Sequence, residues 1–380
     1  MKPWLHKMVK DINKKEFDDA TKLKLEIFRE CFKEWLPVFI HNPFVEKVFI
    51  YDFFSGSGID SKNNYGSPLI LLEEAKGENQ KFCSKVPKGK VVFGYNEKIE
   101  DKRKQLEKNI SDHLKNCLTN CGRNECIYNV GYGSFDFKEV FEREAVSAIL
   151  KNPKFGKFIL LDQYGFKEVD NDVFKKLTES PRTDFIFFIS SSFIRRFKEH
   201  PYILKYFETN KINFDESKPK ECHKYVANYF RTLTPNKKEF YLHQFTIKKG
   251  SNYYGLVFGT GHTLGMEKFL KVCWDKDKLS GESNFSMYND YQPNTLFYTE
   301  TNTVRINEYK AYLKSDMLKG NIKSNLDGMK HALLNSVPTK AFLEVIEEIK
   351  DVITLKGKFN KKITNIHRLK DEDIYTINKK

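Results

Sequence analysis

The chain contains no run of about 18 apolar residues, and its first 19 residues carry scattered Lys and Asp where a signal core would be apolar. Neither a membrane-spanning helix nor a secretory leader is expected, and the protein is read as cytoplasmic. Cysteine is also scarce. Seven, an odd number, are spread over 380 residues, which argues against a disulfide framework and for a reducing compartment. No internal repeat and no long Pro- or Gly-rich tract occurs, so fibrous and low-complexity classes are excluded. Acidic residues are outnumbered: 65 Lys plus Arg against 51 Asp plus Glu leave a formal charge of +14. Such an excess favours a polyanionic partner without requiring one, because a chain rich in Lys, Asn, Ile and Phe is also what an AT-rich genome encodes. With 40% hydrophobic and 31% charged residues, the composition is that of a folded chain long enough for about two domains.

Apolar residues at Leu23, Ile27, Phe28, Cys31, Phe32 and Trp35 recur at helical spacing, so a helix is expected over 17–40, closed by Pro37 and Asn42-Pro43. The β-rich run 45–54 then leads directly into Ser55-Gly56-Ser57-Gly58, a strand entering a glycine turn. Ser67-Pro68 reads as a helix start. Further strands fit 90–95, 126–130, 157–161 and 184–189, separated by helical text at 99–118, 137–150 and 173–177. Strand and helix thus alternate five times, which implies right-handed crossovers, a parallel sheet covered on both faces, and ligands at the carboxyl ends of the strands. Two closely spaced strands at 239–247 and 253–258 form a hairpin. The expected fold class is α/β: a sheet of about seven strands ending in an antiparallel hairpin, with a helical insertion and a mostly helical C-terminal region. The expected organisation is an N-terminal helical segment (1–43), an α/β domain (44–275) carrying a basic helical insertion (193–238), and an accessory domain (276–380).

The chemistry-bearing residues fall on one sheet edge. Asp52 ends strand one, and Ser55, Gly56 and Gly58 form the turn, where glycine lets backbone amides approach a ligand. Ser61 stands where a G-x-G-x-x-G would finish, which argues against a dinucleotide site and leaves a plain tight turn as the other reading. Glu97, ending strand two, is placed to hold ribose hydroxyls or simply to start a surface helix. Asp136 can accept from an adenine amino group or cap the helix beginning at Phe137. Asp162 and Tyr164 end strand four, where a carboxylate polarises an acceptor and an aromatic ring stacks on an extruded base; capping a turn is the bland role for Asp162. The stretch 195–231 interleaves Arg195, Arg196, Lys198, Lys205, Lys220, Lys224 and Arg231 with Tyr206, Tyr225 and Tyr229, a pattern suited to nucleic acid or to a solvated helix pair. His113, Cys117, Cys121 and Cys126 have an unusual spacing for zinc, so packed thiols are expected and no metal site is assigned.

This combination resembles the Rossmann-like S-adenosylmethionine-dependent methyltransferases, and more narrowly the three-Cys-motif partner family of prokaryotes. The matching strings are EWLP (34–37), YDFFSGSG (51–58), GSPLI (66–70), LLDQYGF (160–166) and YYGLVFGTGHTLGMEKF (253–269). The resemblance implies S-adenosyl-L-methionine as cofactor, its methionine part held by Asp52, Ser55, Gly56 and Gly58, its ribose by Glu97 and its adenine by Asp136. It implies association with a three-Cys-motif, radical-SAM-like partner protein and supplies no reaction; the expectation of methyl transfer to a nucleic acid base comes from Asp162, Tyr164 and the basic charge. Gln163 departs from the proline usual in that family, which leaves open an accessory subunit that keeps the fold and binds the partner.

Overall fold

A computed structural model describes residues 15–234, 239–285 and 304–380. Residues 1–14 of the expected N-terminal segment, 235–238 of the basic insertion and 286–303 of the following loop lie outside the described residues. The chain divides into two compact units, Met1–Gln163 and Tyr164–Lys380.

In the first unit, α1 (Asp19–Ile40) starts where the Asp18 carboxylate accepts from the Thr21 N–H at 2.9 Å, an ordinary N-cap. Its apolar stripe is buried, with Phe32 and Trp35 against Phe158 at ring separations of 5.4 and 5.0 Å. The helix ends at Ile40 as expected, with Pro37 inside its last turn. So late in the helix a proline forfeits one backbone bond and disturbs only the final turn. Three parallel strands follow, β1 (Lys47–Asp52), β2 (Val91–Asn96) and β4 (Phe155–Leu161), with β3 (Asn129–Gly133) outside β2. β3 lies three residues later than its sequence text suggests, because pairing with β2 draws Gly131 and Gly133 into the ladder despite their low strand propensity. Between the strands lie α2 (Ser67–Ala75), α3 (Lys81–Lys85), α4 (Glu100–Cys121), α5 (Phe137–Glu142) and α6 (Glu144–Lys151). The single helix expected over 137–150 is two, since Arg143 takes an extended ψ of 141°.

The second unit continues with α7 (Asn171–Glu179), β5 (Thr183–Ile189), α8 (Ser191–Arg196), α9 (Pro201–Leu204) and α10 (Cys222–Thr232). The hairpin β6 (Tyr241–Lys249) and β7 (Asn252–Thr260) turns at Gly250 with φ +59°. β7 runs antiparallel to both β5 and β6. The strand order is β3-β2-β1-β4-β5-β7-β6, parallel except at that end. After α11 (Thr263–Lys276) come α12 (Val304–Leu318), α13 (Asn325–Leu334) and α14 (Lys340–Ile349). These enclose an apolar core that includes Leu313, Phe342 and Ile346. The expected mostly helical C-terminal region is not helical throughout: α14 stops at Ile349, and β8 (Ile353–Lys356) pairs with β9 (Thr376–Lys379). Four-residue strands are too short to show alternation in a sequence.

Two histidines in this unit are fully enclosed. His223 Nε2 meets Thr246 Oγ1, His243 Nε2 meets the Gly281 carbonyl at 3.0 Å, and the His243 Nδ1 has no hydrogen-bond partner among the described residues. Burial, then the nearby cations Lys224, Arg305 and Arg231, hold both well below the usual imidazole range. Glu282 is the carboxylate paired with Arg305 and Lys224 there. Each histidine is neutral when folded but gains a proton when unfolded below about pH 6.5, so its contribution is intact above that pH and lost at up to about 1.4 kcal/mol per pH unit below it. Hydrogen exchange on β6 peptides, corrected for intrinsic rates, should show protection falling roughly 10- to 100-fold from pH 7 to 5.5. Unchanged protection would show that the histidines titrate in the folded state.

Candidate active site

Asp52 leaves the end of β1 opposite Tyr95 and Leu160 and is fully buried. Its Oδ2 accepts from the Ser67 hydroxyl at 2.6 Å and its Oδ1 from the Phe54 N–H at 3.1 Å. Burial pushes the carboxyl up to about 7, with the two hydrogen bonds and the neighbouring Lys24 opposing and Asp162 reinforcing. A nearby cation would favour the ionised form of a carboxyl raised in this way.

The turn after Asp52 is held from three sides. Ser55 donates its hydroxyl to the Asp52 carbonyl at 2.8 Å and its N–H to the Asn96 carbonyl at 3.0 Å. Gly56 has φ +60° and donates its N–H to Glu97 Oε2 at 3.0 Å. Gly58 has φ +82°, and a Cβ there would stand 2.8 Å from the Leu106 side chain. Both glycines therefore occupy backbone that other residues adopt only with strain. Gly58→Val should lower stability by about 2 kcal/mol or more in urea unfolding, from strain and overpacking together; an effect within 0.5 kcal/mol would mean that the turn relaxes freely.

Glu97 follows β2, and its carboxylate also accepts from the Ile99 N–H at 2.9 Å. It is thus the acid that closes the glycine turn as well as a helix-start residue. Asp136 is the N-cap of α5, accepting from the Lys138 N–H at 3.1 Å, and pairs with Lys98 at 2.8 Å. Asn96, which residue patterns did not single out, is buried and ties the loops: its amide donates to the Phe135 carbonyl at 3.0 Å and accepts from the Phe135 N–H at 3.1 Å. A strand-end Asn between two glycine-bearing loops is the sequence signal for such a clasp.

At the end of β4, Asp162 forms an ion pair with Lys24 of α1, both largely buried, with side chains 14% and 8% exposed. Lys24, Asp52 and Asp162 therefore interact electrostatically within the first unit. Tyr164, the first residue of the second unit, is 70% exposed. The turn behind it is fixed by Gly165, with φ +96° and its carbonyl accepting from the Ser190 N–H at 2.8 Å.

The other candidate groups make internal contacts. His113 contacts the Tyr65 hydroxyl at 3.3 Å and Glu73 at 3.4 Å, Cys121 donates to the Leu118 carbonyl, and Cys126 accepts from the Tyr128 N–H. Among the described residues no group of three or more His, Cys, Asp or Glu is placed to hold a metal. In the stretch 195–231, Arg195 and Lys198 share Glu216 at 2.7 and 2.8 Å, Arg196 bonds Asn252, Lys224 pairs with Glu282, and Arg231 donates to the Leu242 carbonyl. His223 and Tyr229 are buried; Phe193 and Phe197, ring against ring, are exposed. No described helix is long and apolar enough to cross a membrane.

The sheet order and its reversed β7 define the Rossmann-like fold of class I methyltransferases. No family model and no curated protein matches the chain. Similar solved structures include protein LPL1258 from Legionella pneumophila, 10% identical with TM-score 0.32 over 61% of this chain and 83% of its own. Another is the human methyltransferase 10 domain containing protein, 10% identical with TM-score 0.28 over 62% and 83%. A third is Trm1 from Pyrococcus horikoshii in complex with S-adenosyl-L-methionine, 11% identical with TM-score 0.32 over 92% and 90%. Likeness of that degree assigns no chemistry to this chain.

The first unit's residues suit S-adenosylmethionine. A positive-φ glycine turn, a buried acid whose carboxyl is pushed up to about 7, and a second acid holding the turn match a ligand with a sulfonium, an ammonium and a ribose diol.

Proposed function

We propose that the protein is an S-adenosylmethionine-dependent methyltransferase acting on a nucleic acid base. The observation that carries this reading is the clasp of Asp52, the Ser55–Gly58 turn and Glu97 at the carboxyl ends of β1 and β2. In it Asp52, Ser55, Gly56 and Gly58 face the methionine part of the cofactor, Glu97 the ribose and Asp136 the adenine. The bound cofactor supplies an activated methyl group, so the protein's task is orientation. Asp162 holds and polarises the acceptor, and Tyr164, with its ring in solvent, stacks on an unpaired base. The basic and aromatic residues of 195–231 contribute backbone contacts through those cations not engaged internally. A salt titration of single-stranded RNA and DNA binding tests the acceptor class: log Kd should rise with log salt with a slope of about 2 or more. A slope near zero would remove nucleic acid from the reading.

A second reading is that of an accessory subunit, akin to the three-Cys-motif partner family, that keeps the fold and binds a three-Cys-motif, radical-SAM-like protein. The observation favouring it is the Lys24–Asp162 ion pair, which engages the carboxylate that an external acceptor needs. Transfer from labelled cofactor to DNA, RNA or protein by the purified chain separates the two: activity without a partner sinks the accessory reading.

A further inference from the structure

The carboxylate at the end of β4 is where the acceptor is held in the reading above, and an amine already sits there. It is Lys24 Nζ of α1, in an ion pair with Asp162 Oδ2. The neighbouring buried positions on the same helix are Leu25, Ile27 and Phe28, and burying an ammonium and a carboxylate together costs more desolvation than an apolar pair of the same volume. Lys24 is also one turn from Thr21 and Phe28, both buried, so the helix delivers its amine to the sheet edge on a rigid support. Asp52, the acid of the cofactor clasp, is close enough to feel both charges of the pair. The paired amine and carboxylate thus lie within electrostatic reach of Asp52 at the end of β1.

We infer that Lys24 is itself a methyl acceptor, so that the protein modifies its own α1 at the side chain held by Asp162. This rests on the methyltransferase reading. The step balances within the groups named. The Lys24 ammonium gives one proton to the Asp162 carboxylate, and the free Nζ lone pair forms the new N–C bond as the sulfonium C–S bond breaks. S-adenosylhomocysteine leaves neutral at sulfur, the methylated nitrogen carries the positive charge, and Asp162 returns its proton to water at the partly exposed edge. A monomethylated Lys24 still carries a charge and donors for Asp162, so the ion pair survives the modification.

The test uses the full chain, isotope-labelled S-adenosylmethionine and peptide mass spectrometry, with binding of S-adenosylhomocysteine measured on the same sample. The expected result is a gain of one CH2 on the peptide containing Lys24, with the label visible as an N-methyl signal by NMR. Lys24→Arg, which keeps the charge and the helix, should remove that label from the chain. Asp162→Asn should slow labelling on the order of 100-fold, the contribution of a positioned proton acceptor, while still binding S-adenosylhomocysteine. A chain that binds S-adenosylhomocysteine yet leaves Lys24 unmodified overturns the inference and leaves the methyltransferase reading standing. Label retained in Lys24→Arg also overturns it. A chain that binds no cofactor overturns both.

Discussion

S-adenosylmethionine should bind about 100-fold more weakly at pH 5 than at pH 8, and Asp52→Asn should flatten that dependence. The reason is the enclosed carboxyl of Asp52, raised by burial to about 7 and only partly restored by Ser67, the Phe54 N–H and Lys24. A cationic ligand selects the ionised form. Above pH 7 that form is present at no cost; below it a proton must first leave, so the apparent dissociation constant rises about tenfold per pH unit. Calorimetry in buffers of different ionisation enthalpy should find close to one proton released per cofactor at pH 6. The sign for stability runs the other way. A carboxyl with a folded value above its unfolded value favours the folded state as pH falls from 7 towards 4; the same contribution is lost as pH rises from 4 to 7 and changes no further above 7. Affinity independent of pH, with no proton release, would mean that Asp52 does not answer the cofactor's charge.

The second large effect concerns Lys24. Removing the ammonium by Lys24→Met leaves Asp162 largely buried without its cation and beside a second acid. Breaking a buried pair from one side costs about 3 kcal/mol or more, because the remaining charge has lost its water and its partner. Chemical denaturation should show that loss at pH 8. The double variant Lys24→Met with Asp162→Leu should recover most of it, since replacing both partners by apolar groups removes the stranded charge. A loss below 1 kcal/mol in the single variant would show that solvent already screens Asp162.

The clasp was legible because its signal is local. A β-rich run ending at Asp52 and broken by Ser55-Gly56-Ser57-Gly58 permits few backbone paths, and Gly56 and Gly58 do take positive φ. The reversed hairpin was equally plain, as only Gly250 and Ser251 separate its strands. The extent of β3 was not, because Gly131 and Gly133 enter the ladder through their pairing with β2, a long-range fact absent from local propensity. The two readings of Asp136 as cap and as ligand used the same residue for different neighbours; the cap is seen, and the carboxylate also meets Lys98. Lys24 interrupts the apolar stripe of α1. A lysine inside such a stripe signals a buried partner, but the partner, 138 positions away, is supplied by folding.

The most direct measurement is calorimetric titration of the full chain with S-adenosylmethionine and S-adenosylhomocysteine, beside Gly56→Arg. The clasp of Asp52, the glycine turn and Glu97 predicts binding in the low micromolar range, lost when Gly56 can no longer take φ +60° and give its N–H to Glu97. No heat of binding up to millimolar cofactor, in a chain shown to be folded, would contradict the assignment of this edge as a cofactor site.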